Sequence, residues 1–119
     1  LRSFHLLQSF NKTLDTYLES KMNMKRYRKK AIEFEAMQWF PNVKHYGVKE
    51  DTDRKMVEFM AKPPVEGSAL WDLPGYYVIT IHEQRAYLVP GDYICPEPKE
   101  MRFYPCKPDI FEANNEPVE

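Results

Sequence analysis

The stretch that decides the fold is residues 76–112, which reads YYVITIHEQRAYLVPGDYICPEPKEMRFYPCKPDIFE. It consists of short runs of β-branched and aromatic residues, and Pro, Gly or charged residues separate these runs. Residues of the first kind favour β-strands, whereas Pro and Gly favour the turns between strands. The stretch therefore predicts a small antiparallel sheet.

One turn in this stretch has defined dihedral requirements. Pro90 presets the φ angle needed at the second position of a type II turn, and Gly91 accepts the positive φ of the third position. Asp92 follows directly, and a carboxylate there can accept backbone hydrogen bonds that fix the turn. We therefore predict a type II turn in which Asp92 has a structural role.

The other strands follow from alternation and from turn residues. The predicted strands are 31–40, 76–81, 86–89, 93–95, 101–104 and 110–112. The first of them rests on Ile32 and Phe34, which alternate with glutamates as in a half-buried strand. The second and third form a hairpin around residues 82–85.

A short helix is predicted between the first strand and the hairpin. Asp51 or Thr52 can cap its beginning, Met56 and Phe59 lie on its apolar side, and it ends near Ala61 before two prolines. The predicted fold class is α+β: a small antiparallel β-sheet or partly open barrel with one short helix, preceded by an N-terminal amphipathic helix.

Residues 3–22 have the apolar spacing of that amphipathic helix. Its stripe consists of Leu7, Phe10, Leu14 and Tyr17. Such a stripe needs a cover, so the helix either packs on its own domain or pairs with the same helix of a second copy. We assign these four residues to oligomerisation. The expected organisation is a helical extension over 1–24, one α+β domain over 25–113 and a flexible tail over 114–119.

Charge divides the chain into a basic arm and an acidic body. Residues 1–30 contain eight Lys/Arg and two Asp/Glu (8 − 2 = +6), and the remainder contains nine and sixteen (9 − 16 = −7). A basic cluster over 25–30 either contacts phosphates or an acidic partner, or is a solvated linker. The acidic body repels nucleic acid and suits a cationic protein surface, or it simply keeps the domain soluble.

The residue types used in catalysis and metal binding are sparse. The three histidines lie in separate segments, and the cysteines Cys95 and Cys106 are too few for a four-ligand zinc site. We expect reduced thiols, although one bridge is conceivable. We predict no catalytic residue, no metal and no cofactor. The chain has no run of 18 apolar residues and no secretion-signal core, so we expect a soluble intracellular protein without a membrane partner.

Aromatic side chains are the main candidates for binding. Several tyrosines lie on predicted strands, and a two-residue period does not allow all of them to face a thin core. Tyr and Trp also dominate binding hot spots and stack on nucleobases. The alternative is ordinary cross-strand packing. The predicted binding residues are Trp71, Tyr76, Tyr87, Tyr93, Arg102, Tyr104 and Lys107.

Four runs of sequence resemble a family of small phage and prophage proteins named for a Pro-Gly-Asp-Tyr-Gly-type turn. The runs are 28–30, 35–39, 89–94 and 103–112, and the resemblance covers roughly residues 24–113. The chain departs from the family at Ile94, where the family has Gly, and in the loop over 97–100. The N-terminal helix has no counterpart. The resemblance implies an accessory phage product that acts in the bacterial host cytoplasm, and it implies no activity or catalytic residues.

Three functional hypotheses follow. The first is a non-enzymatic, homo-oligomeric phage protein that binds and inhibits a host defence protein such as a CRISPR effector. The second is a sponge that sequesters a nucleotide signal, with Lys107, Arg102 and Arg85 facing aromatic rings. The third is a small enzyme with an unrecognised site, which would need His, Cys or carboxylate groups to converge.

Overall fold

The structure is a computed structural model that describes residues 2–118, with side chains described from residue 11 onward. The chain divides into two compact units, with the boundary between residues 32 and 33. The first unit consists of helix α1 (Arg2–Asn23) and a following segment without regular secondary structure. The predicted N-terminal helix is therefore confirmed. Leu14 and Tyr17 are exposed on it, whereas the side chains of Leu7 and Phe10 lie outside the described part.

The second unit contains two antiparallel three-stranded sheets, ordered β1-β5-β6 and β2-β3-β4. The elements are β1 (Met37–Gln38), β2 (Lys49–Lys55), a 3-10 turn (Met56–Phe59), β3 (Pro74–Ile79), β4 (Arg85–Tyr87), β5 (Tyr93–Pro96), β6 (Phe103–Cys106) and α2 (Pro108–Asn114). The α+β class is confirmed. The sheets do not close into a barrel.

The core of this unit lies between the two sheets. Its buried members are Trp39, Met56, Val78, Leu88, Ile94 and Phe103. The predicted hairpin is confirmed as β3 and β4, in which Tyr77 pairs with Tyr87 and Ile79 with Arg85. Gly91 has a φ of +96°, as the predicted type II turn requires.

The predicted helix over 51–61 is wrong. Residues 49–55 form strand β2, which pairs with β3, and only the four-residue 3-10 turn is helical. Asp51 does accept the backbone N–H of Asp53, a short-range bond that resembles a helix cap. Its carboxylate is also bound by Tyr87 from β4, so pairing within the sheet overrides the local helix signal.

The predicted first strand over 31–40 is much shorter in the structure. Only Met37 and Gln38 pair, with Ile94 and Tyr93 of β5. Continuing this register would place Glu35 opposite Pro96 at a hydrogen-bonding position. Pro96 has no backbone N–H to donate, so the ladder ends at Met37.

The predicted last strand over 110–112 is wrong as well. These residues belong to helix α2, which begins at Pro108 after the extended residue Lys107. A proline at the first helical position is a helix-start signal because its missing N–H would have no intrahelical partner. Strand β6 also begins two residues later than predicted, because Met101 adopts a φ of 59° in the preceding turn.

Candidate functional site: the free edge of β1 and the adjacent aromatic cleft

The Pro90-Gly91-Asp92 turn fixes the position of strand β1. Trp39 donates its backbone N–H to the Asp92 carbonyl (2.7 Å) and accepts the N–H of Gly91 (2.8 Å). The Gln38 side chain donates to the Gly91 carbonyl at 3.1 Å. The tight turn that the sequence predicts therefore holds β1 against the sheet through both the backbone and a side chain.

Asp92 has the structural role that the sequence predicts. Its side chain is 2% exposed, and one carboxylate oxygen accepts the Val89 N–H at 3.0 Å. The other oxygen pairs with the Lys107 ammonium at 3.0 Å. Lys107, a predicted binding residue, is thus engaged in an ion pair that neutralises a buried carboxylate.

Strand β1 is an edge strand with one open side. Backbone groups of an antiparallel strand point alternately to either side, and both Met37 and Trp39 are bonded toward β5 and its turn. The N–H and C=O groups of Ala36 and Gln38 therefore point away from β5. The backbone of Ala36 has no hydrogen bond to any other residue in the described range 2–118.

The opposite edge of this sheet, strand β6, carries a proline. Pro105 lies opposite Ile94, whose own backbone groups are bonded toward β1. Pro105 therefore occupies the position whose N–H would point outward from β6. Because proline has no N–H, this edge lacks a donor that an added strand would need.

An open cleft of about 270 Å³ lies beside β1. Its lining residues are Glu35, Ala36 and Met37 at the start of β1, Lys44, His45 and Tyr46 in the loop before β2, and Phe103 of β6. His45 stacks on Tyr46 with ring centroids 4.6 Å apart, and it meets the buried Phe103 ring edge-on at 4.8 Å. Gly47 permits this packing, because an added Cβ would collide with Phe103.

The cleft combines apolar and polar groups. Tyr46 is 76% exposed, so one large ring is available to a ligand. His45 accepts the Gly47 N–H through Nδ1 at 3.0 Å, and burial lowers the pKa of His45 below its usual value. A neutral His45 then carries its proton on Nε2 and remains a hydrogen-bond donor. Glu35 and Lys44 add one charge of each sign.

The predicted binding residue Tyr87 lies on the other sheet, in a packed cluster. Its ring stacks on Phe59 with centroids 3.9 Å apart, and its hydroxyl donates to Asp51 at 2.5 Å. This hydrogen bond is the main cause that lowers the pKa of Asp51, and the nearby Arg85 adds to it. Arg85 also lies over the Tyr77 ring at 4.5 Å. Cross-strand packing therefore accounts for these side chains.

Arg102 is engaged as well. Its guanidinium donates to both carboxylate oxygens of Glu83, at 3.0 and 2.6 Å, and Lys99 donates to the same carboxylate at 2.8 Å. The hydrogen bonds from Arg102 and then Lys99 lower the pKa of Glu83 to about 2. This cluster connects the β3–β4 turn to the β5–β6 turn. Ile81 also donates its N–H to Glu97 across the same two turns.

The remaining predicted binding residues are dispersed over the second unit. Tyr76 packs against Trp39, Tyr93 stacks on Phe111 of α2 at 3.9 Å, and half-buried Trp71 lies in the loop before β3. Tyr104 is exposed on β6. The structure does not bring the seven predicted residues together at one surface.

Sequence reasoning missed Lys44, His45 and Tyr46, which it left unassigned. A signal existed in the basic and aromatic triplet directly before Gly47. Nothing local, however, indicates that Phe103 lies beneath it, because that contact is made between distant parts of the chain.

The two cysteines lie on the same face of neighbouring strands, and both are free. Cys95 is buried, and burial, together with the nearby Cys106, raises the pKa of the Cys95 thiol to about 11. Among the side chains of residues 11–118, no group of three His, Cys, Asp or Glu could hold a metal ion. None of the described helices is both long enough and apolar enough to cross a membrane.

Comparison of the chain with protein-family models, with curated proteins and with solved structures gave no significant match. The resemblance to the phage family therefore rests on the four runs of sequence quoted above.

Proposed function

We propose that this chain is a non-enzymatic accessory protein of a phage or prophage that inhibits a host defence protein, such as a CRISPR effector, by binding to it in the bacterial cytoplasm. The candidate binding surface consists of the free edge of β1 and the cleft beside it. We call this the β1 surface, defined by Glu35, Ala36, Met37, Gln38 and Tyr46.

The observation that carries the proposal is the exposure of apolar groups at this surface. Tyr46 is largely exposed and Met37 is 37% exposed, and both line one concave cleft. Exposed aromatic and Met side chains around a concavity are typical of protein-binding sites, where burial of a few such anchors supplies most of the binding energy.

A plating assay tests this function. Expression of the wild-type chain should raise the plating efficiency of a targeted phage on a host with an active CRISPR system, or on hosts with other defence systems. Tyr46→Ser should abolish the effect because it removes the exposed anchor. The matched control is Val65→Ser, which removes an apolar side chain that is 83% exposed and does not line the cleft.

Size-exclusion chromatography of host lysate should also yield a stoichiometric complex that Tyr46→Ser loses and Val65→Ser keeps. The proposal fails if no defence system is inhibited and no host protein co-elutes. It also fails if the two variants behave alike while both retain the wild-type unfolding temperature.

One observation favours the second candidate function, a nucleotide-signal sponge. A cation does line an aromatic cleft, but it is Lys44 beside His45 and Tyr46 rather than Lys107, Arg102 or Arg85. Stacking of a base on Tyr46 with a phosphate near Lys44 would use this arrangement. A thermal-shift panel of cyclic nucleotides tests it, and the absence of any shift would exclude it.

The N-terminal helix supports a further part of the proposal, which is self-association. Leu14 and Tyr17 are exposed on α1, and they belong to the apolar stripe that also contains Leu7 and Phe10. Pairing of two helices would bury this stripe. Light scattering should give the mass of an oligomer for the full chain and of a monomer for a chain that begins at Met24. A monomeric full chain would contradict this part.

A further inference from the structure

We propose that the partner of this chain binds as an extended segment that adds an antiparallel strand to the free edge of β1, placing an apolar side chain in the cleft and a Lys or Arg side chain beside Glu35. This inference rests on the proposed function, because it takes the β1 surface as the binding site. It names the class of partner: an extended basic segment with one apolar anchor.

Strand addition first requires backbone N–H and C=O groups that have no partner, and β1 supplies them. Ala36 and Gln38 direct two N–H and two C=O groups away from β5, as the alternation around Met37 and Trp39 requires. Strand addition uses such groups for affinity and uses side-chain pockets for specificity. On the other edge of the same sheet Pro105 removes an outward donor, so the β1 edge is the better site for addition.

The cleft supplies the second requirement. Met37 and Glu35 project from the same face of the extended chain because they are two residues apart, and both line the cleft. A side chain of the added strand that lies on this face reaches the cleft between Met37 and Tyr46. The side chain by which the added strand is anchored is therefore apolar, and the rings of Tyr46 and His45 are available to contact it.

Charge supplies the third requirement. Glu33 and Glu35 precede β1 at a spacing of two residues, and neither forms an ion pair within the described residues. The segment 31–119 also carries a net charge of 9 − 16 = −7. Opposite charges on directly facing cross-strand residues are favourable, so Lys or Arg is the complement two residues from the anchor.

A designed peptide tests these requirements together. The probe is fluorescein-labelled Thr-Lys-Thr-Phe-Thr-Lys-Thr, in which Lys and Phe share one face at a spacing of two. When Phe lies in the cleft and one Lys lies opposite Glu35, the two Thr residues beside Phe lie opposite Ala36 and Gln38 and form the ladder bonds. Anisotropy should show binding to the full chain, and a Glu-for-Lys version of the peptide should bind more weakly.

Two N-methylated isomers of the probe are the matched controls. Methylation of the backbone nitrogens of the two Thr residues beside Phe, which lie opposite Gln38 and Ala36, removes the ladder donors and should weaken binding roughly tenfold or more, since each backbone hydrogen bond contributes roughly 1 kcal/mol. Methylation of the backbone nitrogens of Phe and of one Lys places the same number of methyl groups on the outer edge and should leave the affinity unchanged. Equal affinity of the two isomers, or no binding of the unmethylated probe at millimolar concentration, would overturn the proposal.

The protein variant Ala36→Pro separates this inference from the proposed function. It removes an outward N–H and leaves the pairing of Met37 with Ile94 in place, so the folded variant should no longer bind the peptide. If Ala36→Pro unfolds the chain, the affinities of the two methylated isomers for the wild-type chain still test strand addition. If wild type and folded Ala36→Pro inhibit host defence equally while Tyr46→Ser does not, the proposed function stands and strand addition is wrong.

Discussion

Strands β1 and β6 are the two edges of one sheet, and they differ in what they offer to another chain. Strand β6 carries Pro105 at the position whose N–H would point outward, whereas Ala36 and Gln38 present ordinary peptide groups beside β1. Natural sheets commonly block their edges to prevent unwanted pairing. The edge without a proline is also the one whose residues Ala36 and Met37 line the cleft, and the proposed binding site uses this edge.

The largest expected effect comes from a substitution in the turn that holds the open edge of β1 in place. Asp92→Ala leaves the Val89 N–H without its carboxylate acceptor and loosens the turn that holds Trp39. We expect a loss of about 2–3 kcal/mol of unfolding free energy, the range for hydrogen bonds to a buried charged group. Chemical denaturation measures it. Lys107→Met is the companion variant: it leaves the buried Asp92 carboxylate without its cation but keeps the hydrogen bond from Val89, so a smaller loss than for Asp92→Ala is expected.

A pair of neighbouring proline substitutions sharpens the comparison. Met37→Pro removes an N–H that is bonded toward β5 and should cost about 2 kcal/mol, because the Ile94 carbonyl loses its donor. Ala36→Pro removes an N–H that points away and should cost less than about 0.5 kcal/mol, as for substitutions away from structural contacts. Equal costs in thermal unfolding would show that β1 is bonded on both sides.

The turn beside β6 gives a prediction about pH. The pKa of Glu83 falls from its ordinary 4.5 to about 2 in the folded chain, mainly through hydrogen bonds from Arg102. A lowered folded-state pKa means that ionised Glu83 stabilises the fold above pH 4.5, and that this contribution is lost as the pH falls toward 2. Wild type should be more stable than Glu83→Gln near neutral pH, and the difference should vanish in acid and shrink in high salt. A difference that grows in acid would contradict this.

The smallest effect concerns reactivity within the same sheet. Cys95 on β5 is 1% exposed and its pKa is raised to about 11, whereas Cys106 on β6 is partly exposed. Iodoacetamide at neutral pH should therefore modify Cys106 first, because the thiolate is the reactive form. Mass spectrometry of digested samples over time follows both sites. Faster modification of Cys95 would contradict its buried position.

The parts of the fold that could be predicted are those whose causes are local. The dihedral demands of a type II turn are met by Pro90 and Gly91 themselves, and the Asp92 carboxylate reaches a backbone N–H three residues away. The hairpin of β3 and β4 likewise depends on neighbouring residues. The α1 helix follows from its own apolar spacing.

The parts that could not be predicted depend on distant residues. The end of β1 depends on Pro96, and the strand conformation around Asp51 depends on Tyr87. The cleft exists because Phe103 lies beneath His45 and Tyr46, a contact that no local pattern encodes. Helix α2 is different, since Pro108 at its first position is a local signal that outweighs the β-branched and aromatic residues after it.

The most direct test of the open edge is amide hydrogen exchange of the free chain, followed by NMR. The amides of Met37 and Trp39 should exchange slowly because both are bonded toward β5 and its turn, and those of Ala36 and Gln38 should exchange at rates close to those of an unstructured peptide. Protection of Ala36 and Gln38 equal to that of Met37 and Trp39 would show that this edge is already occupied, and it would contradict the account.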